Sequence, residues 1–341
     1  MSIWYGCAHA APQYPVRTTE QDIAIYGTDT IRDLGFDTAK IYLTPTYATV
    51  YPNQNFGSTP TNLTELAQTA PMVHILGDIT LPRIVITTYT FANTVNSPLT
   101  DLTPTNLANE YTEIYNLCVH LLSTYSNKTF ILQNAEGDWE LLGNVDPGAT
   151  LDSTKLGRYA AFMKKRIEAV RAAQLATSTT STVQLAIEMN RVLDNFGYRL
   201  YRDVLSKAMP DLISLTIYES INTWTNQAGT EAAIEANLTE TVRKIRHALG
   251  NTIPIYIGEF TWPQDESSFT SHNLNVPALM DKVISVAESL GIKGAIWWQC
   301  FDNESQSPGV PRGFGMYDRN GNSNTPGPLN DAGLHWQEIL T

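Results

Sequence analysis

The sequence predicts a single-domain α/β protein folded as a (β/α)8 TIM barrel, and three observations lead there. Eight short segments rich in β-branched and aromatic residues alternate with helical segments along the whole chain. That alternation is the pattern of parallel βαβ units. The 341 residues suit a closed barrel of about 250 residues with added loops better than an open sheet. Several apolar segments also end abruptly in carboxylates or aromatics, and barrel strands converge at their C-terminal ends on one face.

In order, Ser2 to Ala8 reads as the first strand. A helix follows from Thr18 to Leu34, with Thr18 or Thr19 as its cap and Glu20 and Asp22 in its first turn. Ile23, Ile25, Ile31 and Leu34 are its apolar positions, and Gly35 is its stop. Phe36 to Leu43 is the second strand. Pro60 to about Leu76 carries a shorter helical pattern interrupted by Pro71. The β-branched run Arg83 to Tyr89 is the third strand. Thr103-Pro104 opens a long helix through Tyr125, with proline in its first turn. Thr129 to Leu132 is the fourth strand, and Asp152 to about Leu175 is a helix. Thr182 to Ile187 is the fifth strand, ending in Glu188. Tyr198 to Met209 reads as helix, and Asp211 to Tyr218 as the sixth strand. Glu231 to Leu249 is a helix closed by Gly250, before the seventh strand from Ile253 to Gly258. A helix from Pro277 to Leu290 stops at Gly291, the eighth strand spans Gly294 to Gln299, and Asp331 to Leu340 is the last helix. No repeat, low-complexity run or linker interrupts this order, so residues 1–341 read as one domain.

The formal net charge of −12 and a pI near 4.9 argue against nucleic acid or an anionic membrane as partner. No apolar run approaches the ~20 residues of a membrane-spanning helix. The first residues lack a basic segment followed by a long apolar one, so no signal peptide is expected. Cys7, Cys118 and Cys300 have no short metal-binding spacing, and an odd count is no disulfide framework. Free thiols fit a reducing compartment slightly better, while N-x-S/T sequons at Asn62, Asn127, Asn237 and Asn303 are compatible with secretion. Localisation therefore stays open between cytoplasm and secretion with a removed signal. The expectation is a monomer with no metal and no organic cofactor.

Two stretches carry the chemistry. Lys128 to Glu140 (KTFILQNAEGDWE) runs from an apolar strand into Gln133, Asn134, Glu136, Asp138 and Glu140. Ile253 to Trp262 (IPIYIGEFTW) repeats the design with Glu259 at its tip, 123 residues after Glu136. Two carboxylates on two strand ends are what glycosidic-bond hydrolysis requires. Asp138 and Glu140 compete with Glu136 for the acid role, and the strand-end position favours Glu136. The other strand ends contribute His9, Lys40 or Tyr42, Tyr89, Glu188, Asn190, Tyr218 and the pair Trp297-Trp298, with Trp139, Trp224 and Trp262 in loops. Aromatic faces of this kind stack on sugar rings. Successive strand residues point to opposite faces, so only one of Trp297 and Trp298 can face the cleft.

This ordered set resembles the clan A glycoside hydrolases, over the whole barrel. The resemblance rests on Glu136 after strand four, Tyr218 on strand six, IYIGEF with Glu259 on strand seven, Trp297-Trp298 on strand eight and the following GFGMYDRNGN. It implies a retaining enzyme in which Glu136 is the general acid/base and Glu259 the nucleophile, with Tyr218 hydrogen-bonding that nucleophile. His9, Tyr89, Asn134, Glu188, Asn190, Tyr218, Trp262 and Trp298 are the expected substrate contacts, and an oligo- or polysaccharide the expected substrate. Two departures stand out. The clan pattern has Asn directly before the acid/base, contacting the sugar 2-hydroxyl, whereas here Ala135 precedes Glu136 and Asn134 lies two back. The strand-two Arg is absent, with Lys40 the nearest basic residue. The rival expectation is a barrel that binds carbohydrate with weak or no hydrolysis. A metal-dependent hydrolase fits poorly, because no two His share a short spacing.

Overall fold

The computed structural model describes residues 3–10, 22–52, 56–57, 59–93, 102–143, 152–193, 199–221, 230–250, 252–262, 275–302, 305–307, 310–311, 313–319 and 325–341. Strands β1 (Trp4–Ala8), β2 (Thr38–Leu43), β3 (Arg83–Thr88), β4 (Thr129–Gln133), β5 (Thr182–Met189), β6 (Leu212–Thr216), β7 (Ile255–Phe260) and β8 (Gly294–Trp297) pair in parallel in that order. β8 returns to β1 and closes the barrel. Long helices Ile23–Asp33, Pro104–Thr124, Ser153–Ala176, Glu231–Leu249, Val276–Ser289 and Asp331–Leu340 cover its outside. This is the (β/α)8 fold expected from the alternation.

Alternation along each strand sorts the side chains into two cores. Ala8, Val85, Ile131, Ala186, Leu212, Tyr256 and Ile296 form one cluster inside the barrel. Their neighbours in sequence, among them Cys7, Ile84, Leu132, Ile187, Ile213, Ile257 and Trp297, join the larger cluster shared with the helices. Two residues further along β2, β4, β5 and β6, the inward positions become Lys40, Gln133, Glu188 and Ser214, a polar layer above the apolar one.

β7 breaks the alternation. Leu215 and Thr216 of β6 face Ile257 and Glu259, so Gly258 is an extra residue with no partner there. β8 also registers a shift, between Ile257 and Phe260. Ile257 and Phe260 both pack outward, although three positions apart. The bulge therefore lets Glu259 face the barrel mouth, where strict alternation would aim it at the helices, and re-aiming a side chain is a common use of bulges beside sites.

Outside the barrel, a buried ion pair ties two helices to the end of β3. Arg166 Nε donates to Glu110 Oε1 at 2.7 Å with both side chains almost fully buried. Arg166 also donates to the Thr88 carbonyl, while Thr90 Oγ1 and Asn93 Nδ2 donate to the other Glu110 oxygen at 2.6 and 3.0 Å.

The helical pattern of 60–76 resolves into Leu63–Ala67 and Ala70–Gly77, with Pro71 in the first turn of the second. Proline has no N–H to continue a helix but is tolerated in a first turn, so it starts a new one. The 198–209 pattern becomes two single-turn helices, Leu200–Asp203 and Leu205–Ala208. A short helix Gly137–Leu142 follows β4, and the antiparallel pairs Ser305–Ser307 with Val310–Pro311 and Tyr317–Arg319 with Pro326–Leu329 follow β8. The sequence reading had none of these. The first helix starts at Ile23 with Asp22 in the capping position, later than the expected start at Thr18, and no acidic residue stands in its first turn; Thr18, Thr19, Glu20 and Trp224 lie outside the described residues.

Candidate active site

At the C-terminal mouth of the barrel the polar layer converges on one lysine. Lys40 Nζ, from β2, donates to Glu188 Oε1 at 3.1 Å, to Glu259 Oε2 at 3.3 Å and to the Gly258 carbonyl at 3.0 Å. It also lies 5.7 Å from the ring centre of Trp298. Burial pulls the lysine pKa down, but Glu188 and Glu259 together more than reverse that, so its pKa is raised and the ammonium stays charged. Tyr218 Oη donates to the other Glu259 oxygen at 3.1 Å, the bond expected of the strand-six tyrosine. Glu259 thus faces an ammonium and a hydroxyl.

Glu136 arrives from β4 by a different construction. Asn134 clamps the turn to β5: its Oδ1 accepts from Glu188 N at 2.8 Å and its Nδ2 donates to Glu188 O at 3.1 Å. Gly137 presses on the same backbone, where a Cβ would stand 2.6 Å from Glu188 O. Between them Glu136 adopts the left-handed conformation (φ 33°, ψ 59°), uncommon for a residue with a side chain. Its N–H donates to Glu188 Oε2 at 2.8 Å, and its Oε1 accepts from Asn190 Nδ2 at 2.9 Å. Burial first, then the charges of Glu259 and Glu188, push the Glu136 carboxyl up to about 8, against smaller opposing effects of Lys40 and Asn190. The carboxyl group is thus protonated at neutral pH, the state required of an acid.

The neighbouring acids are placed differently. Asp138 is fully buried and accepts from the N–H groups of Asn190, Arg191 and Leu200 at 2.9, 3.1 and 3.3 Å. It ties the helix after β4 to the segment after β5. Burial raises it to about 6 despite those donors. Glu140 accepts from Tyr159 Oη at 3.0 Å, and burial raises it to about 8. Glu140 hydrogen-bonds Tyr89, whose hydroxyl accepts from Ala135 N at 3.0 Å, so Glu140 braces the acid loop from behind.

The expected substrate contacts divide. Trp298 faces inward beside Tyr42, with ring centres 6.4 Å apart, while Trp297 is fully buried against Phe260 and Trp336. Tyr218 and Asn190 stand at the mouth, each bonded to one of the paired glutamates. His9 does not face the cleft. Ala8 points into the barrel, so His9 points outward, fully buried, with Nε2 2.9 Å from the Ile23 carbonyl and its ring against Gly27. Burial lowers its pKa to about 4, leaving a neutral packed imidazole. Glu188 is fully buried with both oxygens occupied, and the Asn134 amide is taken up by the Glu188 backbone. Both are therefore framework rather than sugar contacts. Tyr89 is engaged with Ala135 and Glu140, and Trp262 is only 7 % exposed within the outer core.

Sequence reasoning underrated Lys40, gave Gln133 no role, and missed Ser214 and Tyr256; Gln133 and Ser214 hold Glu188, and Tyr256 donates to Gln133. Counting by twos from Ala186 or Leu212 would have found Glu188 and Ser214 pointing inward. Among the described residues no group of three or more His, Cys, Asp or Glu could hold a metal ion.

No family model and no curated protein sequence matches this chain. Solved structures match it in fold, and those that do include glycoside hydrolases of family 5. A subfamily 18 member from Bifidobacterium longum subsp. infantis is 16% identical, with a TM-score of 0.66 over 100% of this chain and 79% of that one. A family 5 xyloglucanase from Paenibacillus pabuli is 14% identical, with a TM-score of 0.60 over 99% of this chain and 98% of the other. A broad-specificity endoglucanase of subfamily 4 from Clostridium longisporum is 12% identical, with a TM-score of 0.58 over 100% and 96%.

Proposed function

We propose that the protein is a retaining glycoside hydrolase, with Glu136 as general acid/base and Glu259 as nucleophile. The observation that carries this is the contrast between two carboxyl groups at one barrel mouth. Glu136 is held protonated at neutral pH, and Glu259 faces the ammonium of Lys40 and the hydroxyl of Tyr218. Paired groups whose surroundings push them toward opposite protonation states divide acid from nucleophile. In the first step Glu136 protonates the leaving oxygen as Glu259 attacks the anomeric carbon. In the second, the Glu136 carboxylate takes a proton from water as that water displaces Glu259. Trp298 and Tyr42 supply the aromatic wall for the sugar, and Asn190 orients the acid.

The substrate on this reading is a neutral oligosaccharide. Subfamily 18 structures from Bifidobacterium longum and Streptomyces cattleya contain Manβ1-4GlcNAc, which makes that disaccharide a first choice beside β-glucosides and xyloglucan fragments. The test is turnover of an aryl-glycoside and oligosaccharide panel, with the anomer of the first-formed product read by NMR. Retained configuration is the expected result. Inversion would overturn the nucleophile assignment, and binding without turnover would leave only a carbohydrate-binding barrel.

A further inference from the structure

We propose that Glu188, a third carboxylate resting on the reading just given, is a positioning residue: it joins the two reacting glutamates and sets a fixed negative charge beside Glu136. Its side chain gathers four elements. Oε1 accepts from Lys40 on β2 at 3.1 Å, from Gln133 on β4 at 2.9 Å and from Ser214 on β6 at 3.1 Å, while Oε2 accepts from the Glu136 N–H at 2.8 Å. The other reacting group lies one contact beyond, because the same Lys40 Nζ reaches Glu259 Oε2. The backbone N–H of Glu136, Glu188, Lys40 and Glu259 thus form one continuous chain of polar contacts across the barrel mouth.

Two features indicate that this chain is built around Glu188. A buried ammonium and a buried carboxylate are costly unless paired and fully hydrogen-bonded, and here both conditions hold. Glu136 also sits in a left-handed conformation that is unfavourable for a residue with a side chain and needs outside support. The Glu188 carboxylate takes the N–H of that strained residue, and the Glu188 backbone takes the preceding Asn134.

The charges follow from the same geometry. Facing Glu136 are Glu259 from β7, Glu188 from β5 and Asn190 just past its end, and Lys40 from β2, with the Tyr42 hydroxyl from β2 nearby. One ammonium balances one of two carboxylates. A third negative charge on Glu136 is therefore resisted, and the proton stays on it until a leaving oxygen takes it.

Glu188→Gln and Glu188→Asp separate charge from position. Gln removes the charge at nearly constant size, so the alkaline limb of kcat/KM on substrates with poor leaving groups should move down by about one pH unit or more. Asp keeps the charge but shortens the reach, so kcat should fall about 10- to 100-fold while that limb stays in place. An unmoved limb in Glu188→Gln, or the same fall with the same limb shift in both variants, overturns the proposal. If neither variant folds, carboxyl-labelled glutamate NMR on the intact wild-type chain decides. Two glutamates, Glu136 and Glu140, should titrate near 8, and one of the two signals should vanish in Glu136→Gln. Persistence of both signals would show the proton held elsewhere than on Glu136 and overturn the proposal. This titration needs no substrate. A chain that hydrolyses no glycoside would sink the hydrolase reading and leave the result on Glu188 standing.

Discussion

Gly258→Ala places one methyl group at the most crowded point of the site. The new Cβ would lie 1.8 Å from Ser214 Oγ and 2.8 Å from Glu188 Oε1. Neither neighbour can step aside freely, since Ser214 donates to Glu188 and Glu188 also holds Lys40, Gln133 and the Glu136 N–H. Overpacking a well-filled interior costs about 1–3 kcal/mol. With an unfolding entropy of about 2.1 cal/mol/K per residue, each kcal/mol lowers the Tm of this chain by about 1.4 °C, so a fall of about 1–4 °C is expected by calorimetry. Activity should suffer more than stability, because the displaced Glu188 carboxylate holds the Glu136 N–H through its other oxygen and shares Lys40 with Glu259. A loss of kcat/KM of about tenfold or more, worth ~1.4 kcal/mol of barrel-mouth alignment, is expected on an aryl glycoside. Ser214→Ala removes the closest atom at the cost of one of three hydrogen bonds to Glu188 Oε1, a bond to a carboxylate worth about 1.5–3 kcal/mol by itself. The double variant Ser214→Ala/Gly258→Ala should therefore recover part of both losses, a coupling that a double-mutant cycle reads directly. Parental Tm and kcat/KM in Gly258→Ala, or a double variant no better than the single one, would refute the packing argument.

Other outcomes follow from the same geometry. Glu259→Ala should abolish turnover of every substrate, because no glycosyl-enzyme can form. Glu136→Ala should instead give a burst of released aryl group and a slow steady state that azide accelerates, and equal loss on all substrates without rescue would move the acid role to Glu140. With Glu136 as the proposed acid, its protonated form is the working one, and burial beside Glu259 and Glu188 pushes its carboxyl up to about 8. On substrates with poor leaving groups, kcat/KM measured against pH should therefore hold below that value and fall about tenfold per unit above it; a limb near the ordinary glutamate value would contradict the burial argument. Tyr218→Phe deletes a 3.1 Å hydrogen bond to a carboxylate, of a kind worth about 1.5–3 kcal/mol, so kcat/KM should drop by one to two orders of magnitude while Tm falls by no more than about 2–4 °C. Glu110→Ala leaves Arg166 buried without its partner, and chemical denaturation should register a loss of about 3–5 kcal/mol.

The barrel was legible in the sequence because its signals are local. Buried parallel strands are continuous apolar runs, and helices carry caps and glycine stops, so alternation alone gave the eight units and their order. Glu136 and Glu259 were legible for a related reason, as each interrupts an apolar run at its end. Contacts across the barrel were not legible, since nothing in the stretch FDTAKIYL says that Lys40 meets Glu188, 148 residues away, and Glu259, 219 residues away. His9 went wrong by one residue: a period of two decides its face, and only its packing against Ile23 and Gly27 showed that Ala8 points inward and His9 out. The bulge at Gly258 is the sharpest case. A two-residue period read from Ile257 sends Glu259 toward the helices. The pairing of β7 with β6 and β8 inserts one residue and turns it to the mouth. The sequence by itself determined which elements form and which residues end them. Register, bulge and the shared lysine are properties of strands meeting their neighbours, and only the closed barrel decided them.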